Sequence, residues 1–232
     1  MPKLIYWLLM PLLLISAGTY LPDSKLAKNV RANVWPRIKN ELTDKGLKFN
    51  SAIYLRIFKD ESVLEIWVRS RPRYKFFKSY NICYFSGGLG TKTRTGDGKS
   101  PEGFYTIGSG QLNPASNYYL AINIGYPNKV EKLKGYTGDA IMVHGHCASI
   151  GCYAMTDPGI EEIYTLIYKA LEAGQQKIRL DIFPFRMDEQ HMKAYAADPG
   201  ITFWKTLRPG YTLFEKEHMP QVPGIKGHDY HF

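Results

Sequence analysis

Two histidines and two cysteines lie within one short stretch of this 232-residue chain, His144-Gly145-His146-Cys147-Ala148-Ser149-Ile150-Gly151-Cys152-Tyr153. A thiol becomes an effective nucleophile when a nearby base or positive potential favours its thiolate, and a histidine is available here as that base. Gly151 allows a tight turn in front of Cys152, and free backbone N–H groups in such a turn can bind the oxyanion of an acyl-transfer intermediate. The stretch therefore predicts nucleophilic chemistry.

Two structural interpretations compete with this one. The first is a zinc site, for which His144, His146, Cys147 and Cys152 are suitable ligand types, but their spacing matches none of the usual zinc patterns. The second is a disulfide, either Cys147–Cys152 or Cys83–Cys147. The chain has three cysteines, so at least one thiol is left over. A Cys83–Cys147 bond would leave Cys152 free, whereas a bond to Cys152 would block catalysis. We predict no metal and no cofactor.

The overall composition is that of a folded basic protein. Apolar residues make up 44% and charged residues 22% of the chain, with a net charge of +9 and a pI of about 9.3. An anionic partner is therefore expected, and nucleic acid, an anionic membrane face and peptidoglycan carboxylates all qualify. A generic basic surface with no specific partner also fits.

The N-terminal residues predict export. Lys3 precedes an uncharged apolar run from Leu4 to Ala17, and Ser16-Ala17-Gly18 supplies small residues for signal cleavage, so residues 1–18 are predicted to be a signal peptide. The run is shorter than the roughly 20 residues of a comfortable membrane span. Export argues against a nucleic-acid partner, and a membrane is a partner only if the signal is retained as an anchor.

The elements that position the reactive stretch are mostly short strands. Residues 53–58 and 63–68 flank a polar turn and predict a hairpin. Further strands are predicted at 74–85, 103–107, 118–124, 140–143 and 178–182. Between the strands predicted at 74–85 and 103–107, residues 86–100 are rich in Gly, Lys and Thr and predict a long loop.

Helices are predicted on both sides of this β-rich region. Asp157 can cap a helix that has Pro158 in its first turn and ends at Gly174. A weaker stripe over 24–45 predicts a helix that is interrupted at Pro36 and closed by Gly46. One or two short helices and a tail are expected after residue 186.

The predicted fold class is mainly β with helical additions. Its expected divisions are the signal (1–18), an N-terminal lead-in (19–50), a catalytic domain (51–185) and a C-terminal helical extension with a tail (186–232).

Two blocks resemble the L,D-transpeptidase catalytic domain family (YkuD-like). His144-Gly145 followed by Ser149-Ile150-Gly151-Cys152-Tyr153 is similar to that family's His-Gly, spacer, Ser-His-Gly-Cys, aliphatic, Arg signature. The upstream stretch Thr95-Gly96-Asp97-Gly98-Lys99-Ser100-Pro101-Glu102-Gly103-Phe104-Tyr105 is similar to its Thr-Pro-x-Gly-x-Phe block. The resemblance covers roughly residues 52 to 185, and two blocks in the right order are more specific than either alone.

The resemblance implies a β-sandwich-like domain in the periplasm that acts on the tetrapeptide stem of peptidoglycan, cutting after meso-diaminopimelate. Cys152 would be the nucleophile and His144 the general base, in the His144-Gly145 pair of the motif. Gly151 and Cys152 would supply backbone oxyanion donors, and Ser149 would shape the turn. The resemblance does not identify the substrate-binding residues.

Three departures from the family signature leave the acceptor open. The spacer between His144-Gly145 and Ser149 is short, and two residues differ. Ile150 replaces the second histidine, and Ala154 stands where an arginine follows the cysteine. Three functions are therefore weighed: transfer to an amine, hydrolysis of an amide on diaminopimelate (including a link between the wall and a protein), and wall binding without catalysis.

Overall fold

The computed structural model describes residues 20–232, so the predicted signal at 1–18 lies outside the described residues. In chain order the elements are α1 (Lys25–Asp44), β1 (Ile53–Phe58), β2 (Val63–Ser70), β3 (Arg73–Tyr84), β4 (Gly103–Ile107), β5 (Leu112–Ser116), β6 (Tyr119–Asn123), α2 (Lys129–Leu133), β7 (Met142–His144), β8 (Tyr153–Met155), α3 (Asp157–Glu172), β9 (Ile178–Phe183), α4 (Glu189–Ala194), α5 (Ile201–Glu217), β10 (Gly224–Lys226) and β11 (Asp229–His231).

Nine of these strands form one sheet, in the order β4-β9-β1-β2-β3-β8-β7-β6-β5. The predicted hairpin is confirmed, because β1 and β2 pair antiparallel with Ile53 opposite Val68. The short strand β8, which no sequence pattern predicted, lies between β3 and β7 and pairs parallel with β7. The mainly β class with helical additions is therefore confirmed, and the reactive stretch connects two neighbouring strands near the middle of the sheet.

The helix predicted after the reactive stretch is α3, and its apolar stripe is buried against the sheet and α1. Ile160, Ile163 and Ile167 are each at most 1% exposed, and burying each such side chain contributes roughly 1.5–3 kcal/mol. The predicted N-cap is wrong by one residue, because the Thr156 hydroxyl, rather than Asp157, accepts the Gly159 N–H at 3.1 Å. The Asp157 carboxylate is thereby left available to the preceding loop.

The predicted interruption at Pro36 is also wrong, since α1 continues through this residue. Proline removes one helical hydrogen bond and crowds the preceding turn. The buried face on either side, which includes Val34, Ile38 and Leu42, packs into the main core and holds the helix together.

The C-terminal extension is longer and better packed than the short helices that were predicted. Helix α5 has 17 residues and presents Trp204, Leu207, Tyr211 and Phe214 to the rest of the protein. Three of them pack with aromatic residues of the sheet region in a second apolar cluster: Trp204, Leu207 and Tyr211. Within residues 20–232, no helix is both long enough and apolar enough to span a bilayer.

Candidate active site

The parallel pairing of β7 and β8 brings the segment that carries the predicted nucleophile next to the strand that carries the predicted base. His144 is the last residue of β7 and is opposite Ala154 in β8. Cys152 immediately precedes β8. The Met142 N–H donates to Cys152 Sγ at 3.3 Å, which ties the thiol to the strand that carries His144.

Cys152 is a free, half-buried thiol. Burial raises its pKa above the ordinary value, while the Met142 N–H and the positive charge of Lys92 oppose that rise. The thiol also lies 3.7 Å from the Ala140 carbonyl oxygen, which can accept its proton in a weak hydrogen bond. In the resting protein the sulfur is therefore held as a thiol, and a base is needed to generate the nucleophilic thiolate.

His144 has the environment of a neutral base. It is 2% exposed, and burial lowers its pKa; the hydrogen bond with the Gly145 carbonyl opposes this lowering, and neighbouring His146 adds to it. Its Nδ1 lies 2.6 Å from the carbonyl oxygen of Gly145. A carbonyl can only accept, so Nδ1 carries the proton and Nε2 keeps the lone pair that can take a proton from a thiol. The Tyr118 ring packs on the imidazole with 4.7 Å between ring centroids.

A disulfide joins the first half of the loop between β7 and β8 to strand β3. Cys83 of β3 pairs with Cys147, so Cys152 remains free and the Cys147–Cys152 alternative is wrong. The four-ligand zinc alternative is also overturned, because Cys147 is consumed by this bond. His146 is an exposed neighbour of the site whose backbone N–H donates to Asp157 Oδ1 at 2.8 Å, as a cap on this loop.

The second half of the loop forms a turn in front of Cys152. The Ser149 hydroxyl donates to the Cys152 carbonyl oxygen at 2.9 Å and accepts the Gly151 N–H at 3.1 Å. Gly151 has a φ of 145°, a conformation that favours glycine. Gly145 is needed for another reason, because a Cβ there would lie 2.6 Å from Asp157 Oδ1.

The two predicted oxyanion donors differ in availability. The Gly151 N–H is engaged by Ser149, whereas the Cys152 N–H has no acceptor among residues 20–232. An unpaired N–H beside the nucleophile is the arrangement that binds a developing oxyanion. The Cys152 N–H is therefore the better placed of the two donors, and both assignments stay predictions.

The residues that departed from the family signature occupy opposite environments. Ile150 is 94% exposed at the tip of the loop, where a large apolar side chain has no protein partner to cover it. Ala154 is fully buried between Tyr84 and His144 in the sheet. Ala154 therefore places a buried methyl group, and no cation, at the position where the family has its arginine.

The sequence patterns did not predict a buried polar network that contacts the loop between β7 and β8 at Cys152. Ser100 Oγ donates to the Cys152 carbonyl at 3.3 Å and accepts the Ser86 N–H at 3.0 Å. Lys59 Nζ donates to the Ser100 carbonyl at 3.0 Å and forms an ion pair with Glu102 at the same distance. Lys59 stands in the polar turn after β1, and such turns are usually solvent-exposed, so no sequence signal marked it as buried.

The network reaches the C-terminal extension. Trp204 of α5 donates its indole N–H to Glu102 Oε2 at 2.7 Å, and both side chains are fully buried. Helix α5 and the loop of residues 86–102 together line a cavity of about 730 Å³, to which Arg94, Lys99 and Tyr136 contribute. The extension therefore packs against the loop that supports Cys152.

Comparisons with known proteins identify the family of the chain. Residues 53–178, more than half of the chain, match the family model described as YkuD, L,D-transpeptidase catalytic domain. The chain belongs to this family. It is also 46% identical over 175 residues to the Escherichia coli (strain K12) protein named "Putative L,D-transpeptidase YafK", covering 75% of this chain and 71% of that protein.

Two solved structures are more distant. The helical cell shape determining protein Pgp2 from Campylobacter jejuni is 21% identical with a TM-score of 0.48, and the match covers 77% of this chain and 64% of that one. Bd1075 of Bdellovibrio bacteriovorus is 18% identical with a TM-score of 0.40, covering 72% of this chain and 58% of that one. The chain thus spans less than two thirds of either solved protein.

Proposed function

We propose that this protein is an exported periplasmic cysteine enzyme that transfers acyl groups on peptidoglycan stem peptides. The observation that carries the proposal is the free thiol of Cys152, held against the strand that ends in the buried imidazole of His144. Membership of the L,D-transpeptidase family supports the choice of substrate class.

The mechanism follows from the protonation states. His144 Nε2 takes the proton of Cys152 as the sulfur attacks the carbonyl carbon of the scissile amide. The resulting oxyanion is bound by the Cys152 N–H. When this intermediate collapses, the C–N bond breaks, the leaving amine receives the proton from His144, and a thioester to Cys152 remains. An acceptor amine then attacks the thioester and releases the thiolate, which recovers a proton through His144.

Hydrolysis is the second candidate, and it is motivated by Ala154, which stands where the family has an arginine. A cation at this position would help to fix a substrate carboxylate or the loop between β7 and β8 (residues 145–152), which we call the motif loop. Without that cation, water can replace the amine in the second step, and an amide between diaminopimelate and another residue or a wall-linked protein would be cleaved. Both reactions use the same thioester.

Mass spectrometry of purified sacculi distinguishes these outcomes. Sacculi are incubated with the wild-type protein, with Cys152→Ala, and with His146→Gln as a matched control for a histidine outside the proposed machinery. New cross-linked muropeptides formed by wild type and His146→Gln alone would support transfer. Loss of cross-links or of protein-linked muropeptides in the same two samples would support hydrolysis.

The same set of proteins tests whether the site is catalytically active. A carbapenem should acylate wild type and His146→Gln but not Cys152→Ala. Identical muropeptides in all three samples, with no carbapenem adduct on wild type, would refute catalysis and leave a wall-binding module.

A further inference from the structure

A second cavity, of about 800 Å³, lies far from the motif loop and is lined by positive charge. Lys48, Arg69 and Arg71 contribute to its wall, together with polar residues that include Asn50 and Gln175. Within residues 20–232, no aspartate or glutamate lines it. We call this cavity the distal basic pocket.

The cations of the distal basic pocket are available to a ligand. Lys48, Arg69 and Arg71 are exposed, and none forms an ion pair with any residue in 20–232. Most other arginines of the protein are paired with a carboxylate: Arg31, Arg37, Arg56, Arg179 and Arg186. Further exposed cations without an ion pair lie on the same segments: Lys45, Arg73, Lys75 and Lys177. The pocket is therefore the centre of a basic surface that has not been neutralised internally.

Part of the pocket wall is held by hydrogen bonds at the ends of β1 and β2. Gln175 bridges to Ile53 through two hydrogen bonds of 2.8 Å, one accepted from its N–H and one donated to its carbonyl. The Arg69 N–H donates to the Ala52 carbonyl, also at 2.8 Å. These bonds join the start of β1, the end of β2 and the segment after α3, so Arg69 projects from a fixed frame. Lys48 lies in the connection between α1 and β1, and Arg71 lies in the turn between β2 and β3.

The pocket and the catalytic residues lie at opposite ends of the same elements. Strand β3 runs from Arg73, beside the pocket, to Tyr84, which pairs with Ala154, and its 12 residues span about 35 Å at about 3.3 Å per residue. Helix α3 begins at Asp157, which contacts the motif loop, and ends just before Gly174 of the pocket wall. Its 16 residues span about 24 Å. The pocket is thus a separate site.

We propose that the distal basic pocket binds carboxylates of the polymer on which Cys152 acts, an inference that rests on the proposed function. A recessed site needs anionic groups that project from their scaffold, as the free carboxylates of peptide stems do, and a flat bilayer surface does not enter it. The planar guanidinium groups of Arg69 and Arg71 can each bind a carboxylate through two hydrogen bonds. Two sites on one polymer raise the local concentration of stem peptides at Cys152.

Binding is tested in the Cys152→Ala background, so that no turnover is involved. Lys48→Gln, Arg69→Gln and Arg71→Gln are combined in one protein. Lys193→Gln, Lys205→Gln and Lys226→Gln form the matched control, which removes three exposed charges elsewhere. Co-sedimentation with purified sacculi is measured at low salt and again at about 0.3 M NaCl, where exposed charges are strongly screened.

The pocket variant should bind sacculi about tenfold more weakly than the control at low salt, since each exposed ion pair contributes a factor of about 1.4 to 5 and three are removed. The difference should shrink at high salt. Equal binding by the two variants would overturn the proposal. So would an unchanged affinity for sacculi with a selective loss of binding to phosphatidylglycerol vesicles, because that result would assign the pocket to a membrane. Failure of the proposed function is seen separately, as unchanged muropeptides with the active enzyme.

Discussion

Replacing Glu102 by glutamine should destabilise the protein far more than the loss of one charge at its surface. Glu102 and Lys59 are both 0% exposed, with 3.0 Å between the ammonium and the carboxylate. Burial lowers the pKa of Lys59, and the carboxylate of Glu102 opposes that effect. Glutamine preserves the shape of the side chain but leaves the Lys59 charge buried without a counter-charge.

The hydrogen bonds of Glu102 increase the loss of stability expected from the substitution. One carboxylate oxygen accepts from Lys59 and from the Gly90 N–H, and the other accepts from the Trp204 indole. In either orientation of a glutamine, its NH₂ group faces at least one donor. Removing one partner of a buried ion pair costs about 3–5 kcal/mol, which corresponds to a fall in Tm of roughly 6–20 °C for a protein of this size.

Glu61→Gln is the matched control. Glu61 pairs with Arg186 at 2.7 Å, but its side chain is 39% exposed, so its loss should cost below about 1 kcal/mol. The two variants are compared by calorimetric unfolding and by the rate at which a carbapenem acylates Cys152. Glu102→Gln should also slow acylation, because Lys59 holds the Ser100 carbonyl and the Ser100 hydroxyl holds the Cys152 carbonyl. A Tm for Glu102→Gln within the range of Glu61→Gln would refute this reasoning.

Three further predictions follow from the geometry of the site and its surroundings. Alkylation of Cys152 by iodoacetamide, followed by mass spectrometry, should accelerate as pH rises beyond the ordinary thiol range, because burial raises the thiol pKa and lowers that of His144. A rate that is already constant in mild acid would instead reveal a thiolate–imidazolium pair. Removing the disulfide by the double substitution Cys83→Ala/Cys147→Ala opens a closure of 64 residues and should cost about 4 kcal/mol in chemical denaturation; an unchanged midpoint would contradict this. Burial raises the pKa of Glu131 from 4.5 to about 7, so its contribution to stability is complete below pH 4.5 and is lost as pH rises through about 7. Glu131→Gln should therefore match wild type in acid and exceed its free energy of unfolding by about 3 kcal/mol near pH 8, and parallel pH profiles for the two proteins would exclude the effect.

Local patterns predicted much of the framework around the site. The stripe from Ile160 to Leu171 predicted α3, and the two apolar runs around residues 59–62 predicted the first hairpin, because helical and strand periods depend on neighbours only a few residues apart. The same patterns missed the true cap at Thr156 and the continuity of α1 through Pro36. In both cases the result depends on contacts beyond the local window: Asp157 is engaged by the loop before it, and the face around Pro36 packs into the main core.

The sequence by itself determined the residue types of the site and the family, since His144, Cys152 and the upstream block lie in recognisable order. The tertiary structure decided which cysteine is free, because Cys83 and Cys147 meet only when β3 and the motif loop are placed side by side. It also decided that Lys59, Glu102 and Trp204 form one buried network under that loop. Such contacts join residues far apart in the chain, and their geometry follows from strand order and helix packing, which no local pattern encodes.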